Sequence, residues 1–77
     1  MNKAVFERKW TQLRGEIRGW WRKLTDEDVD KFNGRYDLLV ELLQERYGYT
    51  SEQAEEEIDK NLKEYQAWLK QKGLPAL

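Results

Sequence analysis

The sequence predicts an all-α fold, a single small domain of four helices spanning residues 1–77. Three observations carry this. Apolar residues recur at steps of three and four rather than two, the period of helices and not of strands. Thr25 with Asp28, and Thr50 with Gln53, have the Thr-x-x-acid/amide form of a capping box at a helix start. The one proline, Pro75, stands near the C-terminal end, so no helix interior has to accommodate it.

The first helix follows from Phe6, Trp10, Leu13, Ile17 and Leu24, which fall on one stripe, with Trp20 and Trp21 on its opposite shoulders, where both can be partly covered and neither must be fully buried. Gly15 and Gly19 inside it each cost about 0.5–1 kcal/mol relative to alanine, which points to a close backbone contact or a local bend. The second helix starts at Thr25, with Asp26, Glu27 and Asp28 placed where the helix dipole favours negative charge, and it stops at the corner Asn33-Gly34. The third, from Arg35 to Tyr47, has the widest apolar arc, Tyr36, Leu39, Val40, Leu43 and Tyr47 flanked by Leu38 and Leu42, and is expected to be the most buried; Gly48 ends it. Thr50 opens the fourth, whose stripe is Ala54, Ile58, Leu62, Tyr65 and Leu69 with Trp68 beside it, closed by Gly73 and Pro75.

Composition restricts the chemistry. The chain has no cysteine and no histidine, so it lacks a thiol nucleophile, a disulfide, the commonest zinc ligand and the usual general base near neutral pH. Ser51 has no histidine to activate it, and Glu55, Glu56 and Glu57 point around a helix rather than at one spot. No enzymatic activity and no cofactor are therefore expected. The longest apolar runs, 38–40 and 42–43, are split by Glu41 and fall far short of the roughly 20 residues of a membrane span. The stretch from Met1 to Lys9 introduces charge before an apolar segment develops, so a secretory signal is not expected and a cytoplasmic location is the default reading.

The spacing Asp26, Asp28, Asp30 imitates the start of a calcium loop, but that loop needs glycine at its sixth position and glutamate at its twelfth. Lys31 and Asp37 stand there, so helix capping is the better account and no metal is expected.

Charge is uneven along the chain: residues 1–24 carry a net +5 and the remainder −6. Arg14, Arg18 and Arg22 repeat every four residues, with Lys23 following, beside Trp20 and Trp21. Such a row could hold a phosphate backbone while the rings stack on bases, which makes these four residues the candidate anion or nucleic-acid contact. The competing reading is internal balance by Glu55, Glu56 and Asp59 of the fourth helix, and a net charge of −1 favours it. Membrane contact through the first helix would use the face the core needs. Weak self-association through Trp20 or Trp68 is a further reading.

A longer pattern runs from Trp10 through Gly15 and Trp21 to Lys23-Leu24-Thr25-Asp26-Glu27-Asp28, then Gly34, Asp37, Leu39, Val40, Gln44-Glu45-Arg46-Tyr47-Gly48-Tyr49, Ala54-Glu55 and Glu57-Ile58. In order and spacing this resembles the CsbD-like family of small bacterial general-stress proteins over residues 10–58, leaving residues 59–77 as a C-terminal helix and short tail. Arg22 and Glu41 stand where that family often has glycine. The resemblance implies two helical hairpins packed crosswise, an amount that rises under general or osmotic stress, no catalytic activity and no defined partner.

Overall fold

The computed structural model describes residues 3–77; Met1 and Asn2, which open the charged N-terminal stretch, lie outside the described residues. Within them the chain is all-helical, in five helices: α1 Lys3–Arg8, α2 Trp10–Trp20, α3 Asp26–Phe32, α4 Tyr36–Tyr47 and α5 Ser51–Gln71. Consecutive helices pack together, α2 on α3, α3 on α4 and α4 on α5, while α1 reaches both α2 and α4.

The expected count of four becomes five because the first segment divides at Lys9, whose backbone (φ −101°, ψ 18°) opens one turn. No glycine or proline marks this point, and the Lys9 carbonyl still accepts from the N–H groups of Gln12 and Leu13 at 3.0 Å each. Tertiary packing accounts for the bend. Phe6 meets the rings of Phe32 and Tyr36 at 6.4 and 5.9 Å, and Trp10 meets Phe32 at 4.7 Å. The two aromatic residues, themselves 5.8 Å apart, thus pack together on the α3–α4 corner.

The same segment ends earlier than its apolar stripe suggests. Trp21 is extended (φ −128°, ψ 90°), and its N–H still bonds the Ile17 carbonyl. Leaving the helix turns Trp21 inward, so it is buried at 2 % exposure rather than lying on a half-covered shoulder. Leu24 reaches the core through a turn closed by its N–H to the Trp21 carbonyl at 3.1 Å, not from the helix. Nor do Gly15 and Gly19 mark a close contact, since nothing lies within 4 Å of where their Cβ atoms would be.

The remaining elements follow the sequence pattern. Both capping boxes form: the Thr25 and Thr50 hydroxyls accept from Asp28 and Gln53 N–H, and those side chains accept from the threonine N–H in return. Arg35 offers α4 no side-chain cap, and Glu7 of α1 fills the gap, its carboxylate accepting from Tyr36 N–H at 3.0 Å. Tyr36, Leu39, Val40, Leu42 and Leu43 of α4 are buried, as are Ala54, Ile58 and Leu62 of α5, the helix that packs on α4. Trp10, Leu38, Tyr47 and Tyr65 are partly covered at the core's edge.

At the corner between α3 and α4, Asn33 is left-handed (φ 44°) and so is Gly34 (φ +81°). A Cβ on Gly34 would meet Trp10 Cγ at 2.5 Å. Glycine is needed here both for its backbone angle and for the ring that lies on it. Beyond α5, Gly73 N–H donates to the Lys70 carbonyl and Leu74 N–H to that of Leu69, the paired bonds of a Schellman end. The tail then folds back, with Leu77 N–H on Gln66 Oε1 at 2.9 Å.

Candidate functional site

The candidate basic residues divide into two groups. Arg14 and Arg18 lie one turn apart on α2 and face α3, where Arg14 pairs with Asp30 and Arg18 with Asp26. The earlier arginine takes the later aspartate, as an antiparallel pair of helices requires. The charge paired with Arg14 and Arg18 thus comes from α3. All four side chains are about half exposed or more, so each pair contributes less than about 1 kcal/mol.

Arg22 and Lys23 are not the next turn of that row, because α2 has ended at Trp20. Arg22 is exposed and makes no ion pair among the described residues. Lys23 is turned toward Tyr47 of α4: its ammonium lies 5.0 Å from the ring centre, and its backbone N–H donates to the Tyr47 hydroxyl at 3.1 Å. Tyr47 stacks on Tyr49 at 5.3 Å and 12°. Arg22, Lys23 and these two rings make a second basic and aromatic surface, separate from the Arg14–Arg18 ladder.

Between the two groups lies the buried charge. Asp28 has 5 % of its side chain exposed and receives Arg46 in two-pronged fashion, Nε to Oδ2 at 3.1 Å and Nη2 to Oδ1 at 2.9 Å. The Arg46 hydrogen bond outweighs burial and, with those from Thr25, holds the Asp28 carboxyl below its usual value of 3.8; Arg46 in turn binds its proton more tightly. The spacing of Thr25 and Asp28 marks Asp28 as a capping-box residue, but nothing local marks Arg46 as its partner from eighteen residues away.

The three aspartates that imitate a calcium loop each face a different arginine: Asp26 with Arg18, Asp28 with Arg46 and Asp30 with Arg14. Among the described residues no group of three or more His, Cys, Asp or Glu side chains is placed to hold a metal ion. No described helix is long and apolar enough to cross a membrane.

Two buried polar atoms have no hydrogen-bond partner among the described residues, the Tyr36 hydroxyl and Trp21 Nε1. Burial, with Asp59, Glu55 and Asp37 nearby, pushes the Tyr36 hydroxyl up to about 12, so it stays neutral at physiological pH.

These contacts join the two densest parts of the sequence pattern. Lys23-Leu24-Thr25-Asp26-Glu27-Asp28 and Gln44-Glu45-Arg46-Tyr47-Gly48-Tyr49 meet through Lys23 on Tyr47 and Arg46 on Asp28. Comparison with known proteins bears on the same point. The chain is 46 % identical over 59 residues to the UPF0337 protein YjbJ of Escherichia coli O6:H1, covering 77 % of this chain and 86 % of that protein. It is 47 % identical over 58 residues to the UPF0337 protein PA4738 of Pseudomonas aeruginosa, covering 75 % and 89 %. This chain belongs to the UPF0337 family.

UPF0337 is the CsbD-like family, so the relatives and the resemblance in the sequence agree. These members are small bacterial proteins of uncharacterised function. No family model and no solved structure matches the chain. In this UPF0337 protein the pattern residues Asp28, Arg46, Lys23, Tyr47 and Gly34 all serve interhelical contacts.

Proposed function

We propose that this UPF0337 protein is a non-enzymatic bacterial stress-response protein of the cytoplasm, acting through binding or through its abundance. The observation that carries this reading is the use of the family-like residues. Lys23, Asp28, Arg46 and Tyr47 are spent on holding helices together. The titratable groups with shifted affinity are engaged in the same way, Asp28 and Arg46 with each other and Tyr36 in the core. Without cysteine or histidine the chain has little to offer a mechanism at neutral pH. The role in general or osmotic stress comes from the CsbD-like resemblance. Transcript and protein levels before and after osmotic shock test it: a clear rise is expected, and levels that do not change would refute the stress role.

The reading includes the family's arrangement of two hairpins packed crosswise. With α1 and α2 taken as one bent element, the packing of α2 on α3 and of α4 on α5 supports it.

A second reading, nucleic-acid association, is favoured by one feature, the stacked Tyr47–Tyr49 pair beside Lys23, whose neighbour in sequence, Arg22, makes no ion pair among the described residues. Arg14 and Arg18 would join only by giving up Asp30 and Asp26. Titration of labelled single-stranded DNA and RNA at low and moderate salt decides it. Salt-sensitive binding that Arg22→Ala and Lys23→Ala weaken would support it, and an absence of binding at low salt would exclude it.

A further inference from the structure

Among the described residues, two large apolar side chains remain exposed, Trp68 at 45 % and Leu74 at 46 %. They are neighbours. Trp68 lies on the outer face of α5, and the Schellman end brings Leu74 back beside Leu69 in a cleft of about 380 Å³ that runs between α5, the tail and the start of α2. A second cleft continues the first along α2 and α5, sharing Glu16, Tyr65 and Trp68 with it and adding Trp20 and Glu64. Tyr65 stacks on Trp68 at 5.9 Å and 11°, and Trp20 meets Tyr65 edge-on at 6.0 Å. The result is a continuous aromatic face on a chain that is 38 % charged. Such a face is the usual mark of an interaction site.

The charges around this face indicate the occupant. Lys9 lies at one end, where α2 begins, and Glu64 at the other, with Glu16 between. None of the three makes an ion pair within the monomer among the described residues. A two-fold axis lying in the face and across α2 reverses the direction of one copy, bringing the Lys9 end of each over the Glu64 end of the other. Nucleic acid fits poorly, since carboxylates occupy most of the rim, and an anionic membrane fits poorly for the same reason.

We infer that this face, centred on Trp68, is the docking surface for a second copy of the chain, in an antiparallel two-fold dimer that sets Lys9 against Glu64 of the other copy. Eleven residues line the two clefts, about half of the roughly 20–30 a side of a standard interface, so the dimer is weak and reversible. The inference is independent of any stress role.

Sedimentation equilibrium of the full chain from about 10 μM to about 1 mM covers the range of such affinities. The expected result is a monomer–dimer equilibrium. Trp68→Glu should raise the dissociation constant at least about tenfold, as for a central aromatic anchor, with an unchanged circular dichroism spectrum. Lys9→Glu should weaken the dimer, and Lys9→Glu with Glu64→Lys should restore it, which a general loss of stability could not mimic. A strict monomer at the highest concentration, or a dimer unaffected by Trp68→Glu, would overturn the inference. So would a charge-swapped pair no tighter than Lys9→Glu alone.

Discussion

Gly34→Ala should bring this protein close to unfolding. The substitution adds one methyl group at a backbone φ of +81°, with Trp10 Cγ at 2.5 Å, Cδ1 at 2.7 Å and Cβ at 3.0 Å from it. The left-handed backbone alone costs about 1–2 kcal/mol for a residue with a Cβ. The contact adds about 1–3 kcal/mol, because the atoms it strikes are the root of a large ring already packed on Phe6 and Phe32 and not the tip of a flexible chain. The combined loss of about 2–5 kcal/mol is comparable with the roughly 3–5 kcal/mol that a core of this size supplies. Urea unfolding, followed by circular dichroism and tryptophan fluorescence in a stabilising osmolyte, measures it for wild type and variant. A double-mutant cycle with Trp10→Ala tests the ring's share: that change removes Cγ and Cδ1 but keeps Cβ at 3.0 Å, so Gly34→Ala should cost less in that background, the backbone part of about 1–2 kcal/mol plus what remains of the Cβ contact. A Gly34→Ala protein within about 0.5 kcal/mol of wild type, or a cost unchanged by removal of Trp10, would refute the reasoning.

The other predictions concern an exposed position on α2 and two buried polar groups. Gly15→Ala, with nothing within 4 Å of the new methyl, should stabilise the protein by about 0.5–1 kcal/mol in the same urea assay. Asp28 is held below its usual 3.8 in the folded state, so its contribution is present above that value and is lost as pH falls through the lower folded value; Asp28→Asn should cost about 1.5–3 kcal/mol at pH 7 and flatten the acid limb of a stability–pH profile. Tyr36, pushed up to about 12 from 10.0, gives the opposite limb: the unfolded chain loses this proton first, so stability falls as pH rises from 10 to 12. Tyr36→Phe should remove that fall and, by deleting a hydroxyl with no partner among the described residues, leave stability at pH 7 equal or higher by up to about 1 kcal/mol.

The candidate site was legible in part. The Arg14–Arg18 spacing announced a basic edge, but its relation to Arg22 depended on a helix that stops at Trp20. Asp26 and Asp28 were legible as first-turn and capping residues, whereas the arginine partners of these two and of Asp30 were not. Asp26 and Asp30 find α2, and Asp28 finds α4, only once α3 lies between the two.

By itself the sequence determined where most helices start and stop and which faces they bury. Those features obey rules between residues three or four apart, as in Thr25 with Asp28, Thr50 with Gln53, and the stripe from Ala54 to Leu69. Tertiary structure decided the bend at Lys9, the inward turn of Trp21, the Glu7 cap on α4 and the ring of Trp10 lying on Gly34. Each of these joins residues far apart in the chain or turns a residue out of regular helix where packing favours it. Local propensity carries no record of such a gain, because it exists only when the helices are assembled around one core.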